Sequence, residues 1–144
     1  MATIDELDEA LEKYHQALGE FVKGNPEPAK GLWSHRDDVT LANPLGLPAR
    51  GWEQVAATME HASSNFRDGE NVGFVIVARY ATAELGYVLE IERQQVKVGG
   101  REDIAPSALR ATMIFRPEDG SWKIVHRHAD PITKAQSAES VIQE

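Results

Sequence analysis

The chain has 144 residues, of which 42% are hydrophobic and 26% charged. That is enough for one domain core and too little for two, and it excludes a disordered or fibrous chain. Fifteen Lys and Arg against 23 Asp and Glu leave a net charge of −8, with no cysteine. An acidic surface argues against nucleic acid as a partner, and a chain without thiols has no disulfide, thiolate nucleophile or zinc ribbon.

No segment approaches the roughly 18 to 20 consecutive apolar residues of a spanning helix, so no membrane partner is expected. Met1 to Glu12 is acidic and mixed, without the basic start and apolar run of a secretory signal, which makes the cytoplasm the expected setting.

Ile4, Leu7, Leu11, Tyr14, Leu18 and Phe21 recur every three or four residues and predict a helix from Ile4 to Lys23. Thr3 and Glu6 have capping-box spacing at its start, and Gly24-Asn25-Pro26 stops it. Pro26 to His35, with Leu32 and Trp33, reads as a short helix or turn against a sheet. Asp37 to Asn43 predicts a short strand ended by Pro44-Leu45-Gly46. Trp52, Val55, Ala56, Met59, Ala62 and Phe66 return to helical spacing, so a helix is expected from Trp52 to Asn65, with Asp68-Gly69 ending it.

Beyond Gly69 the residues are β-branched and aromatic. Val72 to Tyr80 and Gly86 to Val98 predict two long antiparallel strands, with Gly99-Gly100 as a turn after the second. Ala108 to Arg116 predicts a third, and Glu118-Asp119-Gly120 a hairpin into a fourth from Ser121 to Ala129. Residues 1–131 are then one domain and 132–144 a polar tail. Helices followed by strands describe an α+β domain with about three N-terminal helices on one face of a curved antiparallel sheet. The sheet's other face needs cover, and a second copy of the chain is the expected partner, giving a homodimer through that face.

This order, with Asn43-Pro44-Leu45-Gly46 after the first strand and Trp122-Lys123-Ile124-Val125-His126-Arg127-His128 closing the sheet, resembles the nuclear transport factor 2-like superfamily. Within it, the chain resembles the SnoaL-like and ketosteroid-isomerase-like proteins from about Leu7 to Pro131. The resemblance implies a cone-shaped, cystatin-like sheet with the helices on its concave face. It does not select a chemistry, because the superfamily includes isomerases, dehydratases, cyclases, epoxide hydrolases and non-catalytic association domains.

Against the ketosteroid isomerases, Tyr14 matches the tyrosine that polarises the substrate carbonyl. The base of that family is the Asp of an Asp-Pro-x-Gly segment, and here Asn43 stands in its place, unable to abstract a proton at neutral pH. The second acid is expected between Leu109 and Arg116, where there is no carboxylate. Ordinary ketosteroid isomerisation is therefore not expected.

Strand alternation places His126 and His128 on one face with Trp122 and Ile124. One reading makes His126 a general base; the other makes one imidazole a core group and its neighbour a rim group. No third ligand accompanies the pair, so no metal is expected. Arg79, Glu90 and Arg110 are charges within apolar strands, and either orient a polar ligand or pair across a dimer face. Which strand face points inward is open. Trp33, Met59, Trp122 and Asn43 are expected around a pocket; His61 is weighed as a helix-flank residue, and His15 and His35 receive no role.

There is no phosphate-cradling loop, dinucleotide fingerprint, nucleophile elbow or metalloprotease helix pair in the sequence. The leading expectation is a small, largely apolar ligand in a conical pocket. Any turnover would be cofactor-independent proton transfer, such as isomerisation, dehydration or cyclisation, with His126 as base, Tyr14 as oxyanion donor and Arg79 or Arg110 orienting the substrate. The alternative is a non-catalytic association module whose cone is filled by Trp33, Met59, Phe66 and Trp122.

Overall fold

A computed structural model describes residues 3–143. Helix α1 spans Thr3–Phe21 and buries Leu7, Leu11, Tyr14, Ala17 and Leu18, the stripe that its periodicity defines. Gly24 takes φ +95°, and its N–H donates to the carbonyl of Phe21, closing the helix as a left-handed cap. A single turn, α2 (Glu27–Lys30), follows, and then Trp33, which is 2% exposed. Strands β1 (Thr40–Ala42) and β2 (Ala49–Arg50) form a small hairpin, of which only β1 was expected. Two residues are too few to show an alternation, so β2 has no sequence signature. Helix α3 spans Trp52–Ser63 and buries Val55, Met59 and Ala62.

The strands β3 (Phe66–Ala81), β4 (Gly86–Val98), β5 (Ala105–Glu118) and β6 (Ser121–Asp130) are an antiparallel meander. The whole sheet has six strands in the order β2-β1-β6-β5-β4-β3 and is curved and unclosed. It is mixed rather than purely antiparallel, because β1 pairs parallel to β6, Leu41 opposite Arg127. The physical reason is the long crossover: α3 and four strands intervene, so β6 returns to the free edge of β1 in the same direction.

Strand β3 begins at Phe66, six residues before its expected start, and Asp68-Gly69 is a bulge inside it rather than the stop of α3. Asp68 has φ +54°, and the register shifts between Arg67 and Glu70. The Gly69 N–H donates to the carbonyl of Val22, and a Cβ on Gly69 would lie 2.5 Å from that oxygen. Glycine is needed here because two backbones touch. Two more register shifts, between Asn71 and Gly73 and between Ile76 and Ala78, bend this strand around α1.

The inward face is identified by β4, where Val88, Glu90, Glu92, Gln94 and Val96 are all buried, matched by Ala111, Met113 and Phe115 on β5. These meet Leu7, Leu11, Tyr14, Leu18, Val55 and Met59 from the helices to make one core. The opposite face carries Val75, Tyr80 and Tyr87 exposed. Beyond Pro131 the described residues make only a 3-10 turn at Ala138–Val141, with side chains almost all exposed.

Candidate functional site

Between the helices and the inner sheet face lies a cavity of about 300 Å3. Its walls are largely apolar, with Leu18 and Phe21 from α1, Met59 from α3, Leu41 from β1, Leu109 from β5 and Trp33. Polar side chains enter from Tyr14, Asn43, Ser107 and Arg127. Among the sequence candidates, then, Tyr14, Trp33, Met59 and Asn43 come together here. None of the lining residues is a carboxylate or an imidazole.

Tyr14 is delivered by the buried stripe of α1, and its hydroxyl makes no hydrogen bond among the described residues. Burial pushes its pKa up, against the opposing pull of the Arg127 charge, so it stays a neutral O–H donor. Asn43 is occupied locally, since its Oδ1 accepts the Leu45 N–H at 2.9 Å and shapes the turn that follows β1. Trp33 brings a buried Nε1 that lacks a partner among the described residues.

Arg127 was not anticipated. It points inward from β6, is 8% exposed, and donates from both terminal nitrogens to Glu92 at 2.7 Å each. Its guanidinium carbon lies 5.5 Å from the centre of the Tyr14 ring, within cation–π range. Burial opposes its charge, but Glu92 outweighs that and holds its pKa above the ordinary value. The Glu92 carboxyl is pushed up by burial and drawn down further by Arg127, so it lies below its ordinary range and is ionised.

Behind this pair, Glu90 is fully buried and raised to about 7, chiefly by burial, with the His15 contact opposing the rise and the Glu92 charge adding to it. His15 Nε2 and Glu90 Oε1 lie 2.8 Å apart, and the His15 ring stacks on Phe74 at 3.6 Å. From the cavity towards the α1–β3 surface the polar groups therefore run Tyr14, Arg127, Glu92, Glu90, His15.

His126 and His128 lie on the opposite face of the sheet from the cavity. Phe115 pairs with Ile124 while Ile114 pairs with His126, so Val125 is an extra residue that reverses the alternation. Ile124 and Arg127 consequently point inward, and the expectation that Ile124 shares a face with the histidines is corrected. The Thr40 hydroxyl lies 2.7 Å from His126 Nδ1, and burial followed by the neighbouring His128 charge lowers the His126 pKa.

Arg79, Glu90 and Arg110 are not brought together. Arg79 makes a two-pronged pair with Asp8 of α1, at 2.6 and 3.0 Å, and Arg110 binds Asp130 on the outer face at 2.8 Å. Trp122 faces the far end of α1, where its Nε1 donates to Glu6 at 2.8 Å, and it does not line the cavity. His61 is an exposed residue of α3. Arg127 and Glu92 could have been found from Glu90, because Glu90, Glu92 and Gln94 form a polar row in a strand that otherwise reads apolar. Such a row on one parity, opposite an arginine flanked by β residues, signals a buried ion pair. Among the described residues no group of three His, Asp or Glu side chains is placed to hold a metal ion, and no helix is long and apolar enough to cross a membrane.

Among curated proteins no match is found. The fold is similar to a nuclear transport factor 2 (NTF2-like) superfamily protein from Salmonella enterica, at TM-score 0.76 and 17% identity over 94% of each chain. It is also similar to a ketosteroid isomerase-like protein from Erwinia carotovora atroseptica, at TM-score 0.72 and 17% identity over 92% of this chain and 98% of that one. A protein with a cystatin-like fold from Caulobacter vibrioides matches at TM-score 0.70 and 18% identity over 92% of both. The SnoaL-like domain model matches residues 7–133, which is nearly the whole chain, and the protein belongs to the SnoaL-like domain family.

Proposed function

We propose that the protein binds a small, largely apolar molecule carrying one oxygen acceptor, held in the cavity with that oxygen against Tyr14 and Arg127. The observation that carries this reading is an apolar cavity of about 300 Å3 whose wall includes a buried, unpartnered hydroxyl beside a buried guanidinium. Such a combination of apolar wall and a few convergent polar groups is what small-molecule sites share. That open volume supports ligand binding over a cone filled by its own side chains.

Binding stands ahead of turnover in this reading. Proton transfer needs a base within reach of the ligand, and no carboxylate or imidazole is among the residues lining the cavity. A catalytic His126 would have to act from the other side of the sheet, where its contact is Thr40.

The test is calorimetric titration with 2-acetylnaphthalene, a flat apolar ketone. One-to-one binding to the native chain, abolished in Ala62→Phe with its thermal midpoint retained, supports the site, since Ala62 lines the cavity. Equal binding by the filled variant, or no binding to the native chain of either this ketone or the corresponding carboxylate, 2-naphthoate, overturns it.

We further propose that the outer sheet face pairs with a second copy. Val75, Tyr80 and Tyr87 lie there 39 to 58% exposed, large apolar side chains that a lone chain would leave in water. Sedimentation equilibrium is expected to give twice the chain mass for the native protein and the single mass for Val75→Asp; a native monomer refutes the pairing.

A further inference from the structure

The charges behind the cavity wall do not balance. Two fully buried carboxylates, Glu90 and Glu92, stand against one buried guanidinium, and Arg127 spends both of its observed hydrogen bonds on Glu92. Glu90 is left with His15 on Oε1 and with no partner on Oε2 among the described residues. An ionised carboxylate in that position is costly, so the cluster needs one more proton. The carboxyl of Glu90 and the ring of His15 are the two places that can hold it.

No other charge near Glu90 answers this need. From α1 it faces His15 and Tyr14, along β4 it faces Glu92, and from β6 Arg127. Its register partners on β3 and β5 are Ile76 and Ala111, neither of which titrates. Gln94, next on the same face, is uncharged and has its own unpartnered Nε2. The Arg79–Asp8 pair, further along toward Val88, is half-exposed and self-compensating. With one proton on the His15–Glu90 pair the cluster is neutral; with none it carries a net negative charge, and with two a net positive one.

Resting on the binding reading above, we propose that ligand uptake is linked to this proton: the cavity takes a small apolar carboxylic acid as its anion against Arg127 and Tyr14, and the His15–Glu90 pair gains a proton as it does so. The anion enters next to a guanidinium already cancelled by Glu92, so the compensating positive charge comes from behind. The His15 side chain is 13% exposed while Glu90 is sealed, so the proton enters from the α1–β3 surface and not through the occupied cavity. The raised Glu90 carboxyl, at about 7, puts the exchange in the neutral range. By linkage, one proton taken up per ligand tightens binding by up to about tenfold for each pH unit lowered.

The experiment is isothermal titration of the full chain with 2-naphthoate and with its neutral counterpart 2-acetylnaphthalene, from about pH 6 to 8.5, where a carboxylic acid with pKa near 4 stays ionised. Each titration is run in two buffers of different ionisation enthalpy, so that proton uptake is read directly. The expected result is naphthoate binding that tightens as pH falls from 8.5, with uptake approaching one proton above about pH 7 and dwindling toward pH 6 where the free pair is already protonated, and ketone binding independent of pH. Glu90→Gln, which keeps shape and removes the titration, should flatten the naphthoate profile; His15→Asn serves the same purpose if that variant does not fold. Naphthoate binding without pH dependence or proton uptake, an unchanged profile in the variant, or ketone binding with no naphthoate binding each overturns the linkage and leaves the site standing. Binding of neither probe overturns the site itself.

Discussion

Replacing Glu90 by Gln tests the buried cluster through stability alone, with no ligand. The carboxyl moves from an ordinary 4.5 in the unfolded chain to about 7 in the folded one. The folded state therefore binds more protons between those values, and stability falls as pH rises through that window, flattening above it. At the ~1.4 kcal/mol that each pH unit represents, the full displacement corresponds to roughly 3 kcal/mol. Glu90→Gln removes this term, so the variant should gain on the native protein from under about 1 kcal/mol at pH 5 to roughly 3 kcal/mol at pH 8. Urea unfolding of both proteins across that range measures it. His126, whose pKa is lowered by burial and by His128, works in the opposite direction near neutrality, and so does not mimic the effect. It is present in both proteins and cancels in the difference. Glu92, Asp38, Glu118 and Asp130, all held below their ordinary range, lose their contribution only as pH falls through the acid region. A difference that is constant with pH, or that favours the native protein at pH 8, refutes the assignment of Glu90 as a buried acid near neutrality.

Arg127→Met strands the ionised Glu92 in the core and should cost about 3–5 kcal/mol in chemical denaturation, most of it regained when Glu92→Leu is added; a single variant as stable as the native chain contradicts the buried pair. Gly69→Ala forces a Cβ against the Val22 carbonyl and should cost about 1–3 kcal/mol, whereas Gly46→Ala, with no atom within 4 Å, should leave the thermal midpoint nearly unchanged. His126→Ala should leave 2-acetylnaphthalene affinity unchanged, because the side chain lies across the sheet from the cavity; a tenfold or greater loss, about 1.4 kcal/mol, would return His126 to the site.

The sequence by itself determined the elements whose side chains repeat with a clear period. The stripe from Leu7 to Leu18 specified α1 and placed Tyr14 inward, and the β-branched runs specified β3 to β6, so that the α+β class and the helix-covered sheet were legible before any coordinates. Asp68-Gly69 misled, because a glycine that ends a helix and a glycine that lets two backbones touch look the same in a sequence; only the 2.5 Å approach to Val22 distinguishes them. The parallel pairing of β1 with β6 was equally hidden, since three residues carry no sign of their neighbour 86 residues away.

The site was decided by tertiary structure. Alternation along β6 is a local rule, and the bulge at Val125 breaks it, sending His126 and His128 outward and Arg127 inward. A one-residue slip exchanges the two faces of a strand, so the same seven residues describe a histidine site or an arginine site according to where one extra residue sits. Glu90 was visible as a charge in apolar company, but which arginine, Arg79, Arg110 or the unremarked Arg127, would come near it depended on the register of strands far apart in the chain. That register gave Arg127 to Glu92, Asp8 to Arg79 and Asp130 to Arg110, and left Glu90 to His15, a helix residue with no mark in the sequence.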